Sequence, residues 1–136
     1  MTAPVNYTLK KKERLKSRKQ IELLFKEGHS FSHFPFRIIW IFSDAAAEPL
    51  QAGFSVSSRY FKKATDRNRI KRLMREGYRL QKQALQEALQ SSGKKMQLFF
   101  IYAGNELPEY QLVHQKAGTV INRLIKLLHE TAGATV

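Results

Sequence analysis

Between Phe34 and Phe42 almost every side chain is apolar, and Arg37 is the only charge. A run that is aromatic and β-branched on both alternating faces predicts a strand buried on both sides. Ser43-Asp44 ends it, and Leu50 to Ser57 resumes as a second strand with Ala52, Phe54 and Val56 on one side. The short turn Asp44 to Pro49 between them predicts an antiparallel pair. Met96 to Tyr102 reads as a third strand of the same buried kind.

Elsewhere the apolar spacing is helical. Ser17 is placed to cap a short helix ending at Gly28, with Ile21, Leu24 and Phe25 on one face. The stretch Gly28, His29, Ser30 and Ser32 reads as a loop. Thr65-Asp66 is expected to cap a long helix running to about Ser91, where Ser92-Gly93 stops it. After a loop over Gly104 to Pro108, a closing helix runs from Tyr110 to about His129. Its apolar set Val113, Ala117, Val120, Ile121, Leu124, Ile125 and Leu128 recurs every three or four positions, as on a helix laid against a sheet. The order is α-β-β-α-β-α, one α+β domain over residues 17–130. A basic mobile arm is expected at residues 1–16 and a short tail at 131–136.

The chain has 136 residues, enough for one core, and no cysteine, which excludes disulfides, thiolate metal sites and cysteine nucleophiles. No apolar stretch approaches a signal-peptide core or a membrane span, so a cytoplasmic protein is expected. The formal charge of +13 is unevenly placed. Residues 1–20 carry +6 and residues 57–82 carry +8, while the remaining 90 residues sum to −1. Charge focused into two blocks on a neutral domain is the footprint of a polyanion binder.

At about 100° per residue, Arg67, Asn68, Lys71, Arg72, Arg75, Arg79 and Lys82 fall within an arc of roughly 140°. Ile70, Leu73, Met74, Gly77, Leu80, Gln81 and Ala84 occupy the opposite side. Like charges this close repel on a bare helix, and Glu76 is the only acid between Arg67 and Lys82. Phosphates would neutralise them, and the arginine fork suits phosphate oxygens. The expected partner is RNA. A solvated face and a structural ribosomal protein are the competing readings.

Arg37 would pair with an acid or meet a phosphate, while Phe36 and Trp40, alternating with it, face the closing helix. His29 and His33 are spaced like half a metal site but lack a third ligand, and His114 and His129 read as surface groups. Glu106 and Glu109 have no obvious catalytic partner, so neither a protein catalytic residue nor a protein metal site is expected.

The run Arg67-Asn68-Arg69-Ile70-Lys71-Arg72, followed by Arg75, resembles the signature of the protein subunit of bacterial ribonuclease P. Arg14-Leu15-Lys16 leading to Phe25-Lys26-Glu27-Gly28 looks like that family's first helix. Gly53-Phe54-Ser55-Val56-Ser57 looks like its strand before the basic helix. The matches keep order and spacing over residues 9–128. The resemblance implies an α/β sandwich around a central mixed sheet, with a left-handed βαβ crossover around the basic helix. It implies a ribonucleoprotein endonuclease that removes the 5′ leader of precursor tRNA, in which the RNA subunit is the catalyst. Mg2+ would be held mainly by that RNA and the substrate, and no stable protein partner is required. Carried over, Arg67, Asn68, Lys71, Arg72 and Arg75 would contact the catalytic RNA, joined by Arg69, Arg79, Arg59, Lys62 and Lys63. The leader would lie in a cleft touching Ile21, Phe25, Arg37 and Ile39.

Overall fold

The structure is a computed structural model and describes residues 9–46 and 48–134. Strands β1 (His29–His33), β2 (Phe36–Phe42), β3 (Leu50–Val56) and β4 (Met96–Tyr102) form one sheet in the order β1-β2-β4-β3. β2 runs antiparallel to β1 and β4, whereas β3 runs parallel to β4. The sheet is therefore mixed, as expected, but the predicted β2–β3 pair does not form: β4 lies between them. Buried along nearly its whole length, β4 takes the interior place that gives it two neighbours. The connection over residues 43–49 has only to step over one strand position, roughly 10 Å.

β1 occupies the segment read as a loop. Its sequence His-Ser-Phe-Ser-His pairs with β2 from His29↔Trp40 to His33↔Phe36. As an edge strand with little apolar area to bury, it leaves no hydrophobic run to read. Its alternation sets His29 and His33 about 13 Å apart along the strand, too far to share an ion. Among the described residues, no group of three or more His, Cys, Asp or Glu is placed to hold a metal.

Four α-helices are present among the described residues. α1 (Arg18–Glu27) begins where Ser17 Oγ accepts the Gln20 N–H at 3.3 Å and ends at Gly28. α2 (Ala64–Gln81) and α3 (Gln83–Ser92) replace the single long helix expected, with the interruption at Lys82. The first N-cap is Lys63, not Thr65-Asp66, and its carbonyl accepts the Arg67 N–H at 3.2 Å. Gly93, at φ 68°, supplies the left-handed residue that closes α3. α4 spans Tyr110–Ala134, longer than predicted.

The larger core lies between one sheet face and α2, α3 and α4. Phe36, Ile38, Leu98 and Phe100 pack there against Ile70, Met74, Tyr78 and the α4 set Val113, Ala117, Val120, Ile121, Leu124 and Leu128. α1 covers part of the opposite face, where Leu15, Leu24, Ile39 and Phe99 form a smaller core. The molecule is thus an α+β sandwich with helices on both faces of the sheet. No helix among the described residues is long and apolar enough to cross a membrane.

The cations of the expected arm, Lys10 to Lys16, belong to a packed segment instead. Residues 1–8 lie outside the described residues, and from Leu9 onward the segment is packed. Leu9 and Leu15 are buried, the Leu15 N–H donates to Ala52 O at 2.9 Å, and Arg14 bridges to Ala52 in parallel register. The strap Leu9–Lys16 therefore lies along the outer edge of β3, the position a further strand would take.

Candidate nucleic-acid interface

The outer face of α2 carries its cations in three different states. Asn68, Arg72 and Arg75 are exposed, and together with Leu9, Arg14, Glu76 and Arg79 they line a groove of about 450 Å³. Lys71 is half-buried and lines a neighbouring hollow of about 240 Å³ with Arg75, Arg14 and Lys16. Arg79 is partly neutralised: its guanidinium pairs with Glu76 one turn back, an ion pair that holds the Glu76 carboxyl below its ordinary value. Among the described residues, no carboxylate pairs with Arg14, Lys71, Arg72 or Arg75.

Lys82 does not belong to the basic face. It is 2% exposed, and its Nζ lies 2.8 and 2.9 Å from the two carboxylate oxygens of Glu13. Burial by itself would raise the Glu13 carboxyl, but hydrogen bonds from Lys82, the Lys10 amide and Gln86, with the Lys82 charge, hold it below its ordinary value. Tyr78, on the same side of the helix, is wholly buried, and burial and the Glu13 charge push its phenol well up. The arc projected for an isolated helix is therefore narrowed: its Lys82 margin turns into the body of the protein.

Arg67 serves the loop before α2. Its Nη1 donates to the carbonyls of Phe61 at 2.8 Å and Lys62 at 2.7 Å, so it organises the turn rather than standing free. That turn holds Lys62 and Lys63 exposed and sets the exposed Arg59 over the Tyr60 ring at 5.4 Å. Arg69 is exposed but does not line the groove shared by Asn68, Arg72 and Arg75.

On the α1 side of the sheet, strand pairing sets Ser32, Arg37, Ile101 and Ser55 in one row across all four strands. The next row, Ser30, Ile39, Phe99 and Gly53, runs beneath α1. In the first row Ser32 and Arg37 are exposed, while Ile101 and Ser55 are half-buried. Phe25 projects from α1 with nearly half its surface exposed, its ring edge-on to Phe99 at 5.1 Å. Ile21 is half-buried and Ile39 is buried, so Ile39 acts from beneath the surface. The result is an open strip of sheet beside α1, with the Phe25 ring at its edge, Ile39 and Phe99 beneath it and the exposed Arg37 in the next row.

Sequence reasoning missed Phe99 as the floor, Ser55 and Ile101 beside it, and Arg14 in the groove. Phe99 sits in a strand buried on both sides, where the two faces cannot be told apart by pattern. For Arg14 a signal existed: Leu9, Leu15 and the lone acid Glu13 interrupt the basic arm as they would interrupt a packed segment.

The family model for ribonuclease P matches residues 9–125. The chain is 36% identical over 116 residues to the ribonuclease P protein component of Porphyromonas gingivalis, covering 85% of each chain. It is 30% identical over 128 residues to the protein of the same name from Chlorobium phaeobacteroides, covering 86% of this chain and 88% of that one. In three dimensions it is similar to the RNase P protein from Thermotoga maritima, with a TM-score of 0.63 and 27% identity over 82% of this chain and 96% of the other. The fold also matches the Staphylococcus aureus RNase P protein, with a TM-score of 0.62 and 19% identity over 82% of this chain and 94% of the other.

Proposed function

The chain belongs to the ribonuclease P protein family, and from that premise we propose that it is the protein subunit of a ribonucleoprotein endonuclease that trims the 5′ leader from precursor tRNA. The observation that supports this reading best is that the chain presents two distinct exposed surfaces, the outer face of α2 and, on the α1 side of the sheet, the Arg37 row. The cationic face of α2 holds Asn68, Arg72 and Arg75, and among the described residues no carboxylate pairs with Arg72 or Arg75; the sheet holds an exposed Arg37 in the row next to Phe99, on which the Phe25 ring rests.

The α2 face would take the backbone of the catalytic RNA. Exposed Arg and Lys side chains release counterions when phosphates replace them, which drives association without reading sequence. The cleft is open and mixed in character, suited to a single strand: an aromatic edge for a base, Ile21 and Ile101 for apolar contact, Arg37 for a phosphate. The protein's contribution is binding and orientation. Magnesium ions held by the RNA subunit and the substrate would supply water activation and stabilise the leaving oxygen. A bare dication has no reason to settle on the α2 face itself, where like charges repel it.

Titrating the chain with a bacterial ribonuclease P RNA at several salt concentrations tests the electrostatic part. About six neutralised phosphates predict a log–log slope of roughly −4 to −5. A slope near −1 contradicts it.

A further inference from the structure

The strap Leu9–Lys16 carries cations of its own beside those of α2. Arg14 lines both compartments of the groove beside α2, the larger with Asn68, Arg72, Arg75 and the Glu76–Arg79 pair, whose charges offset each other, the smaller with Lys16 and Lys71. Two cationic walls facing each other repel, and that repulsion would push an unanchored basic segment away from α2. The strap is anchored three ways. Gln51 Nε2 donates to Lys12 O at 2.9 Å, Leu15 N–H donates to Ala52 O at 2.9 Å, and the buried Glu13 carboxylate binds Lys82 at the α2–α3 interruption. Glu13 and Arg14 are adjacent, so the pair that pins one positions the other. A polyanionic strand entering between the walls is attracted from both sides and removes the repulsion that the anchors resist.

We propose that the groove between the strap and α2 is a phosphate-binding site for the backbone of the RNA subunit, with Arg14 as its central strap-side contact and Glu13–Lys82 as the latch that sets its width. This deepens the reading of α2 as the RNA-facing helix and rests on it. The RNA subunit, not the leader, is the occupant, because the groove is continuous with the α2 face, whereas the Arg37 row opens on the face of the sheet. Glu13 is a positioning residue here; Arg14 makes the contact.

The test measures Kd for a bacterial ribonuclease P RNA against salt, for the full chain and for Arg14→Ala, Glu13→Gln and Arg75→Ala. Arg14→Ala, an exposed change, is expected to weaken binding several-fold and make the log–log slope shallower by about 0.7 to 0.9, the loss of one phosphate contact. Its preference for precursor over mature tRNA should stay as in the parent chain. Glu13→Gln is expected to speed exchange of the Leu15 amide and to lose the same portion of the slope, and Arg14→Ala added to it should change the slope no further. Arg75→Ala separates the two claims. If it weakens binding while Arg14→Ala does not, the groove proposal is overturned and the α2 reading stands. If neither weakens binding, both are overturned. A loss of precursor preference in Arg14→Ala without loss of RNA-subunit affinity would overturn the assignment of the occupant.

Discussion

The Phe25 ring meets Phe99 edge-on, with centroids 5.1 Å apart and planes at 79°, so that the half-exposed rim of the cleft rests on its buried floor. Truncating Phe25 removes a face on which a base can stack, worth about 1–2 kcal/mol. Phe25→Ala should therefore reduce the holoenzyme's preference for precursor over mature tRNA by about 5- to 30-fold, without changing affinity for the RNA subunit. Arg37→Ala should act in the same direction, through loss of a phosphate contact. Comparing Kd for precursor and mature tRNA checks both; equal losses for the two substrates would count against the cleft.

Arg72 and Arg75 lie one turn apart on the exposed face of α2 and line the same groove. Reversing both to Glu should impair assembly with the RNA subunit and make the salt slope shallower by about two contacts' worth, near 1.4 to 1.8. Circular dichroism should remain that of the parent, since neither side chain is buried. Salt titration of RNA binding provides the measurement, and an unchanged slope would contradict the assignment.

Gly53 lies where β3 passes the Phe99 ring. A Cβ there would meet ring carbons at 2.6 and 2.7 Å, so Gly53→Ala must displace the floor of the cleft. Overpacking of this kind costs about 1–3 kcal/mol. Denaturant unfolding should show that loss, and a neutral result would mean that Phe99 moves aside freely.

Glu13 gives the fold an acid-side dependence whose sign is fixed by its lowered carboxyl. Because the folded value lies below the ordinary 4.5, its stabilising contribution is complete above that pH and is lost as pH falls through the folded value. Glu13→Gln should cost about 3 kcal/mol at neutral pH by leaving Lys82 buried without its anion. The gap between parent and variant should narrow on acidification toward pH 3. Urea unfolding across that range tests this, and parallel profiles would contradict the role given to the pair.

How much of this was legible beforehand differs element by element. The helix over Arg18–Glu27, the strands over Phe36–Phe42, Leu50–Val56 and Met96–Tyr102, and the buried stripe of α4 follow from periodicity and end signals that act locally. Strand order does not, because β4 enters between β2 and β3 only after the chain has passed through two further helices. The inward turn of Lys82 is matched by a carboxylate 69 positions away, which no helical projection contains. The same holds for the site. Arg72 and Arg75 are visible from spacing alone, whereas the engagement of Arg67 with two loop carbonyls is not.

The most direct measurement is 5′ processing by the reconstituted particle. The chain is combined with a bacterial ribonuclease P RNA and precursor tRNA at a magnesium concentration too low for the RNA to act well alone. Acceleration of leader removal, lost in the Arg72/Arg75 reversal and reduced for precursor but not for mature-tRNA binding in Phe25→Ala, is the predicted result. No gain in processing over the RNA alone would contradict the account.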